Sequence, residues 1–205
     1  MTADFSRVLE AGKLKRSVLD GYLDNARTAA DLLLSSLSQA NELVSSFKQV
    51  AVDQASSQRR RFDLKLVIEE VTATLTPIIK KTPFRLHLEL AGKVAMDSYP
   101  GPIGQVVTNL VMNSLTHAFE ARETGNMTLA ARKRGQRQVE IVYADDGVGI
   151  SGSDMQRIFD PFFTTKLGRG GSGLGLHIVY NLVTRVLGGR IKASSELGGG
   201  TRFEI

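Results

Sequence analysis

From Leu19 to Ala51 the apolar positions keep an unbroken four-three spacing: Leu19, Leu23, Ala26, Ala30, Leu33, Leu37, Ala40, Val44, Phe47 and Ala51. That is the seam of a coiled coil. Ser17 followed by Asp20 has the form of a capping box that starts the helix. A helix over residues 17–57 runs roughly 60 Å at 1.5 Å per residue, too long for one small domain to cover, so it needs partners along its length. The amphipathic stretch Phe5–Glu10, then Gly12 and a basic turn, predicts the end of an earlier helix folded back on the long one. An antiparallel helical hairpin that pairs with a second copy into a dimeric four-helix bundle satisfies both patterns.

The first sixty residues contain no Pro and have Gly only at 12 and 21, whereas all five Pro and the other eighteen of twenty Gly follow. We therefore divide the chain into residues 1–60 and 61–205, with Arg59-Arg60-Arg61 as a solvated linker. Beyond it, Leu64, Val67, Ile68, Val71 and Leu75 mark a helix ended by Pro77, and Phe84–Leu90 alternates as a half-buried strand. A helix over Ile103–Phe119, strands at Met127–Arg132 and Val139–Tyr143, a glycine-led helix through Leu187, and strands at Arg190–Ala193 and Thr201–Ile205 complete the pattern. Strands and helices mix without strict alternation, which predicts an α+β sandwich with one mixed sheet under a helix layer. The chain stops on apolar Ile205 within a strand-like run, as expected of a piece of something longer.

Composition narrows the chemistry. The 205 residues, 42% of them hydrophobic, can fill a core. The absence of Cys excludes disulfide frameworks and thiol catalysis, and three His far apart leave little material for a metal cluster. A net charge of +5 favours anionic partners, with a phosphorylated small molecule fitting as well as a polyanion. Without an aromatic or recognition-helix pattern beside the arginines, no nucleic-acid partner is expected. There is neither a signal-peptide profile nor an apolar run of membrane length, so a cytoplasmic location is expected, with any membrane anchor in other parts of a parent protein.

Four segments carry candidate chemistry. Asn109, Asn113 and His117 fall at i, i+4 and i+8 on an otherwise apolar helix, where an amide oxygen suits Mg²⁺, although an exposed helix face would look the same. Asp145-Asp146-Gly147-Val148-Gly149 follows a strand. Its carboxylate can accept from an amino group and its glycines admit a flat ligand, or the segment is simply a turn. Asp160-Pro161-Phe162-Phe163-Thr164-Thr165-Lys166 sets aromatics and a cation ahead of a glycine-rich stretch. The rival reading is a hydrophobic staple with a solvated Lys. Gly168-Arg169-Gly170-Gly171-Ser172-Gly173-Leu174-Gly175 opens onto a helix, where free amides and the helix dipole favour an anion, unless it is only a flexible loop. No Gly-Lys-Ser/Thr follows, so it is not a Walker loop.

In this order the segments resemble the N, G1, F and G2 boxes of the sensor histidine kinase ATP-binding domain, of the superfamily shared with gyrase, the mismatch-repair ATPases and the heat-shock chaperone ATPases. Gly198-Gly199-Gly200-Thr201 matches the G3 box. The resemblance covers about residues 60–205, and the hairpin resembles the dimerisation and histidine-phosphotransfer domain. The resemblance implies the Bergerat-type α/β sandwich and the cofactors ATP and Mg²⁺. It implies that Asn113 holds the metal with Asn109 in support, that His117 faces the phosphates, and that Asp145 takes the adenine amino group, with Gly147, Gly149 and Thr201 around the base. Phe163, Thr165, Lys166, Arg169, Gly171, Ser172, Gly173, Leu174 and Gly175 are implied at the phosphate end, with a lid over about Asp160–Ser172; Asn109, His117 and Lys166 carry the catalytic roles. The implied partners are a second copy through the hairpin and a response-regulator receiver domain.

Hydrolytic members place a glutamate where this chain has Asn109, which cannot act as a general base. Phosphoryl transfer to a protein side chain is thus expected over rapid hydrolysis. Asp146 stands where the family usually has Asn, adding negative charge near the nucleotide. The family's acceptor is a His followed by an acidic residue on the first hairpin helix; His87, His117 and His177 precede Leu, Ala and Ile, and none lies in the hairpin. The acceptor is expected in a lost N-terminal part of that helix. This fragment is then an ATP-binding kinase core unable to phosphorylate itself. Two rivals are a nonenzymatic nucleotide-gated dimer or scaffold in which the missing acceptor is native, and an ATPase clamp of the gyrase or chaperone kind.

Overall fold

The computed structural model describes residues 16–17, 19–34, 36–37, 58–120, 122–135, 138–166 and 171–205. The chain divides into two compact units, Met1–Ser45 and Ser46–Ile205. In the first, the described residues within 16–37 are helical and form α1, in which Arg16 and Ser17 already belong to the helix. Leu23, Leu33 and Leu37 of the heptad seam are more than half exposed in the single chain. The hairpin's other helix and the seam beyond Leu37 lie outside the described residues.

The second unit is an α+β sandwich. Its five-stranded sheet has the order β2-β4-β5-β7-β6, with β2 (Phe84–Leu90), β4 (Gly125–Arg134), β5 (Gln138–Asp145), β6 (Lys192–Glu196) and β7 (Gly200–Glu204). Only β2 and β4 run parallel; the other pairs are antiparallel, which makes the sheet mixed. Period-2 alternation sends Met127, Leu129 and Ala131 of β4, Ile141 and Tyr143 of β5 and Phe203 of β7 into one buried layer. Helices α2 (Leu64–Ile79), α3 (Pro100–Asn113) and α5 (Gly175–Asn181) contribute Ile68, Leu75, Val107, Leu110 and Val179 to the same core. A short α4 (Gly152–Met155) stands between β5 and α5.

Three sequence expectations are corrected. Arg60 and Arg61 are not linker: they open β1 (Arg60–Asp63), paired antiparallel with β3 (Ala95–Ser98), and Arg59 Nε lies 3.3 Å from an Asp97 oxygen. Asp63 then caps α2, accepting from the Lys65 amide and, across the turn, from the Val94 amide, each at 3.1 Å. Pro77 does not end α2, which continues to Ile79. The proline removes one amide near the helix end, where the loss is tolerated because the final turn is closed by Lys80 N–H to Thr76 O at 2.9 Å. Third, the helix expected over Ile103–Phe119 starts earlier, with Pro100 in its first turn, and widens into a π turn over Ser114–Ala118. A second π turn, Leu182–Val186, follows α5.

Candidate functional site

The candidate residues meet where the C-terminal end of β5 faces α3 and the start of α5. Asp145 is the last residue of β5 and is buried. Its Oδ2 accepts from Ser114 Oγ at 2.7 Å, and Ser114 in turn accepts from the Tyr143 hydroxyl at 2.8 Å. Oδ1 accepts from the amides of Gly147 at 3.1 Å and Thr201 at 3.2 Å. Burial pushes the Asp145 carboxyl above its ordinary value; the Ser114, Gly147 and Thr201 donors oppose this and the neighbouring Asp146 charge adds to it. Burial likewise pushes the Tyr143 phenol up, against its Ser114 hydrogen bond and with the Asp145 charge. Ser114 is still placed by regular helix geometry, its N–H bonding Leu110 O, and the π turn begins at this residue.

The turn beyond Asp145 is held open by its neighbours. Gly149 has φ +72°, and a Cβ there would drive into the Glu196 carbonyl. Ser195 Oγ accepts from the Ile150 amide at 2.9 Å and lies 3.0 Å from Thr201 Oγ1, while the Gly198 amide donates to Val148 O at 2.8 Å. Thus the Asp145–Gly149 and Gly198–Thr201 segments form one rim around the carboxylate.

Asp146, expected to add negative charge near the site, turns its carboxylate toward Asn126 and Arg122, while its charge still acts on Asp145. It follows Asp145 at the strand end, and its carboxylate accepts from the Asn126 amide and from Asn126 Nδ2, both at 2.8 Å. Arg122 donates to its carbonyl and lies 3.9 Å from its carboxylate. Burial alone would raise the Asp146 carboxyl, but the Asn126 donors and Arg122 hold it below its ordinary value.

On the helical side, Asn109 Nδ2 donates to Gln105 O at 2.9 Å, which leaves Oδ1 free to look across to α5. A Cβ added to Gly175 would sit 3.6 Å from Asn109 Oδ1 and 3.9 Å from Asn113 Oδ1. Two amide oxygens therefore converge on the first turn of α5, whose opening amides have no intrahelical partner. Hard oxygen donors beside anion-seeking amides fit a magnesium ion shared with a phosphate.

His117 does not continue the Asn109–Asn113 line as an α-helix would have it, because it sits in the π turn. Its Cε1 lies 3.2 Å from where a Cβ on Gly171 would stand, and burial pushes its imidazole below the ordinary value, assisted by Lys166 and opposed by Glu120. Lys166 Nζ donates to Thr116 O at 2.6 Å and pairs with Glu120 at 3.2 Å. Phe163 packs under the Arg157 guanidinium, 4.6 Å from ring centre to cation. Thr165 is exposed, Leu174 is buried, and Ser172 Oγ accepts from the Leu174 amide at 3.4 Å. Arg169 lies outside the described residues. Ser114, Tyr143, Ser195, Asn126 and Glu120 are the participants that motif reading missed. Tyr143 had a signal, since period 2 puts it on the Asp145 face of the same strand.

A shallow depression lined by Glu89, Thr128, Ala130, Glu140, Val142 and Arg202 is on the other face of the sheet, because Ala144 and Asp145 point to opposite sides. It brings no converging chemistry.

Residues 99–205, just over half of the chain, match the model of the family described as histidine kinase-, DNA gyrase B-, and HSP90-like ATPase. The chain is 29% identical to the sensor histidine kinase RcsC of Escherichia coli (strain K12) over 97% of its own length and 20% of that protein. It is 41% identical to the alginate biosynthesis sensor protein KinB of Pseudomonas aeruginosa over 49% of the chain and 16% of that protein. The chain thus spans about a fifth of the length of these relatives. Among solved structures, the catalytic domain of histidine kinase ThkA aligns at TM-score 0.61 and 27% identity, covering 72% of this chain and 97% of that one. Full-length ShkA, solved in complex with AMPPNP, aligns at TM-score 0.63 and 25% identity over 98% of this chain and 40% of that one. The chain belongs to the histidine kinase-, DNA gyrase B- and HSP90-like ATPase family, and its ATP-binding core is of the sensor histidine kinase kind.

Proposed function

We propose that residues 61–205 bind Mg-ATP and serve a protein histidine kinase, while residues 1–60 pair with a second copy as a helical hairpin. The observation that carries the nucleotide reading is Asp145: a buried carboxylate, anchored by Ser114, Gly147 and Thr201, at the rim of two glycine turns. An adenine amino group is a donor of the size and polarity that such an acceptor can take.

Asn113 would hold magnesium with Asn109 beside it, and the metal would supply positive charge to offset that of the phosphates. Gly147 and Gly149 let the turn pack tightly against Ala118 and Glu196, and with Thr201 they would border the base. Lys166 releases Thr116 and Glu120 and meets the phosphates, with His117 beside it and the amides at Gly171, Gly173 and Gly175 completing the anion cradle. Phe163, Thr165, Arg169, Ser172 and Leu174 belong to the same end. Asn109 orients without abstracting a proton, so water is not activated and the γ-phosphoryl group is kept for a protein acceptor. In the parent protein that acceptor is a His, and a response-regulator Asp receives the group next.

A second reading has one observation in its favour: His87 lies in β2, His117 in the π turn and His177 in α5, so the chain offers no hairpin histidine. A nucleotide-gated scaffold would need none. Incubation with γ-labelled ATP and a separate histidine-bearing hairpin separates the readings. Acid-labile label on that hairpin supports the kinase, and nucleotide binding without transfer supports the scaffold.

A further inference from the structure

His177 is held at both ring nitrogens. Nδ1 lies 2.9 Å from the Phe159 carbonyl oxygen and Nε2 lies 2.9 Å from Asn181 Nδ2. A carbonyl only accepts, so Nδ1 carries the proton and donates, and Nε2 is left to accept from the Asn181 amide. Asn181 stands four residues on from His177, on the same helix face, and thereby fixes the tautomer. Tyr180 adds a third hold, its ring 5.3 Å from that of Phe159.

Phe159 is the root of the segment that bears Lys166. Three residues on, Phe162 has φ +65°, a left-handed backbone that a bulky residue adopts only when its surroundings enforce it. Gly173, with φ +70°, lies against it so closely that a Cβ would collide with the Phe162 backbone. The segment is therefore seated at Phe159 by side chains of α5 and at Phe162 by the chain leading into α5. From that seat Lys166 reaches the π turn, where it bonds Thr116 O.

We propose that His177 is a positioning residue. By donating to Phe159 it sets the seat of the Phe159–Lys166 segment, and so the reach of Lys166 toward nucleotide phosphates. The inference rests on the nucleotide reading above. It separates from general stability because the base is proposed to meet Asp145, whose partners Ser114, Gly147 and Thr201 include no residue of this seat, so phosphate-bearing ligands feel the change and adenosine does not.

The test is calorimetric binding of Mg-ATP and of adenosine to the full chain and to His177→Leu and His177→Asn. Asn places an N–H close to the position of Nδ1 and can still donate to Phe159. Leu is expected to weaken Mg-ATP by roughly tenfold, the order of one lost hydrogen bond, while adenosine stays within about twofold and Asn recovers most of the loss. Equal losses for both ligands, or none for either, overturn the proposal. Should the Leu variant fail to fold, Asn181→Leu removes the partner of Nε2 and is read in the same way. If the unsubstituted chain binds neither ligand, the nucleotide reading fails and this inference falls with it. Binding by the unsubstituted chain with no selective loss in the variants refutes the inference alone.

Discussion

Ser114 Oγ donates to Asp145 Oδ2 at 2.7 Å while accepting from the Tyr143 hydroxyl, so one hydroxyl joins a helix, a strand and the carboxylate proposed to read the base. Ser114→Ala leaves both the phenol and a carboxylate oxygen buried without that partner. It should lower unfolding free energy by about 1–3 kcal/mol, measured by urea denaturation. Tyr143→Phe removes the phenol and leaves the Ser114–Asp145 bond intact, and should cost less, about 1 kcal/mol.

The raised Asp145 carboxyl has a pH signature. A folded-state value above the unfolded one means that Asp145 favours folding below its ordinary value of 3.8, and that this contribution is lost as pH rises through the folded value. Asp145→Asn removes the cost of burying a charge, so the stability difference between variant and parent should shift in the variant's favour as pH rises from 3.8 toward neutrality. Nucleotide affinity should move the other way, falling as pH drops through the raised Asp145 value. Denaturation and binding measured across pH 4–7 check both signs.

Asp146 titrates in the opposite sense, and its stabilising contribution is present above 3.8 and lost as pH falls through its lowered value. Its carboxylate is half exposed and directed at Asn126 and Arg122. Asp146→Asn should therefore change stability by less than about 1 kcal/mol, as for other exposed pairs, and Mg-ATP affinity by less than about threefold. A large gain in affinity would mean that its charge does face the nucleotide.

These elements show how far sequence carries. The strand Phe84–Leu90 and the mixed sheet were legible because period and strand ends are local signals, whereas the grouping of Asp145, Asn109, Asn113 and Gly175 into one site came only from the family resemblance. The π turn was not legible. It carries the long-range bonds Ser114 to Asp145 and Lys166 to Thr116 O, and no residue within Ser114–Ala118 announces it. The short strands Arg60–Asp63 and Ala95–Ser98 escaped for a related reason, since each has only four residues and gains its structure from the other. The partners of Asp146 were not legible because they lie 20 and 24 residues away.

Thr116 O and Glu120 hold Lys166 and would compete with a phosphate for it. Glu120, 60% exposed, holds it only weakly, so Glu120→Gln should improve Mg-ATP affinity by about two- to threefold at low salt, with the gain fading as salt is raised. Lys166→Ala should lower it by roughly tenfold. Titrations at two salt concentrations test both.

Asn109 divides transfer from hydrolysis. Asn109→Glu supplies the missing base beside the proposed phosphate position and should raise steady-state ATP hydrolysis by roughly ten- to a hundredfold over the parent chain. Rapid hydrolysis by the parent itself would instead favour the clamp-ATPase reading.

The central claim is that Asp145 sits at the base of an adenine nucleotide site, and calorimetric titration of the full chain with Mg-ATP, beside Asp145→Ala, tests it most directly. Saturable binding by the parent, weakened at least tenfold in the variant, is the predicted result. Equal binding by both, or none by the parent, would contradict it.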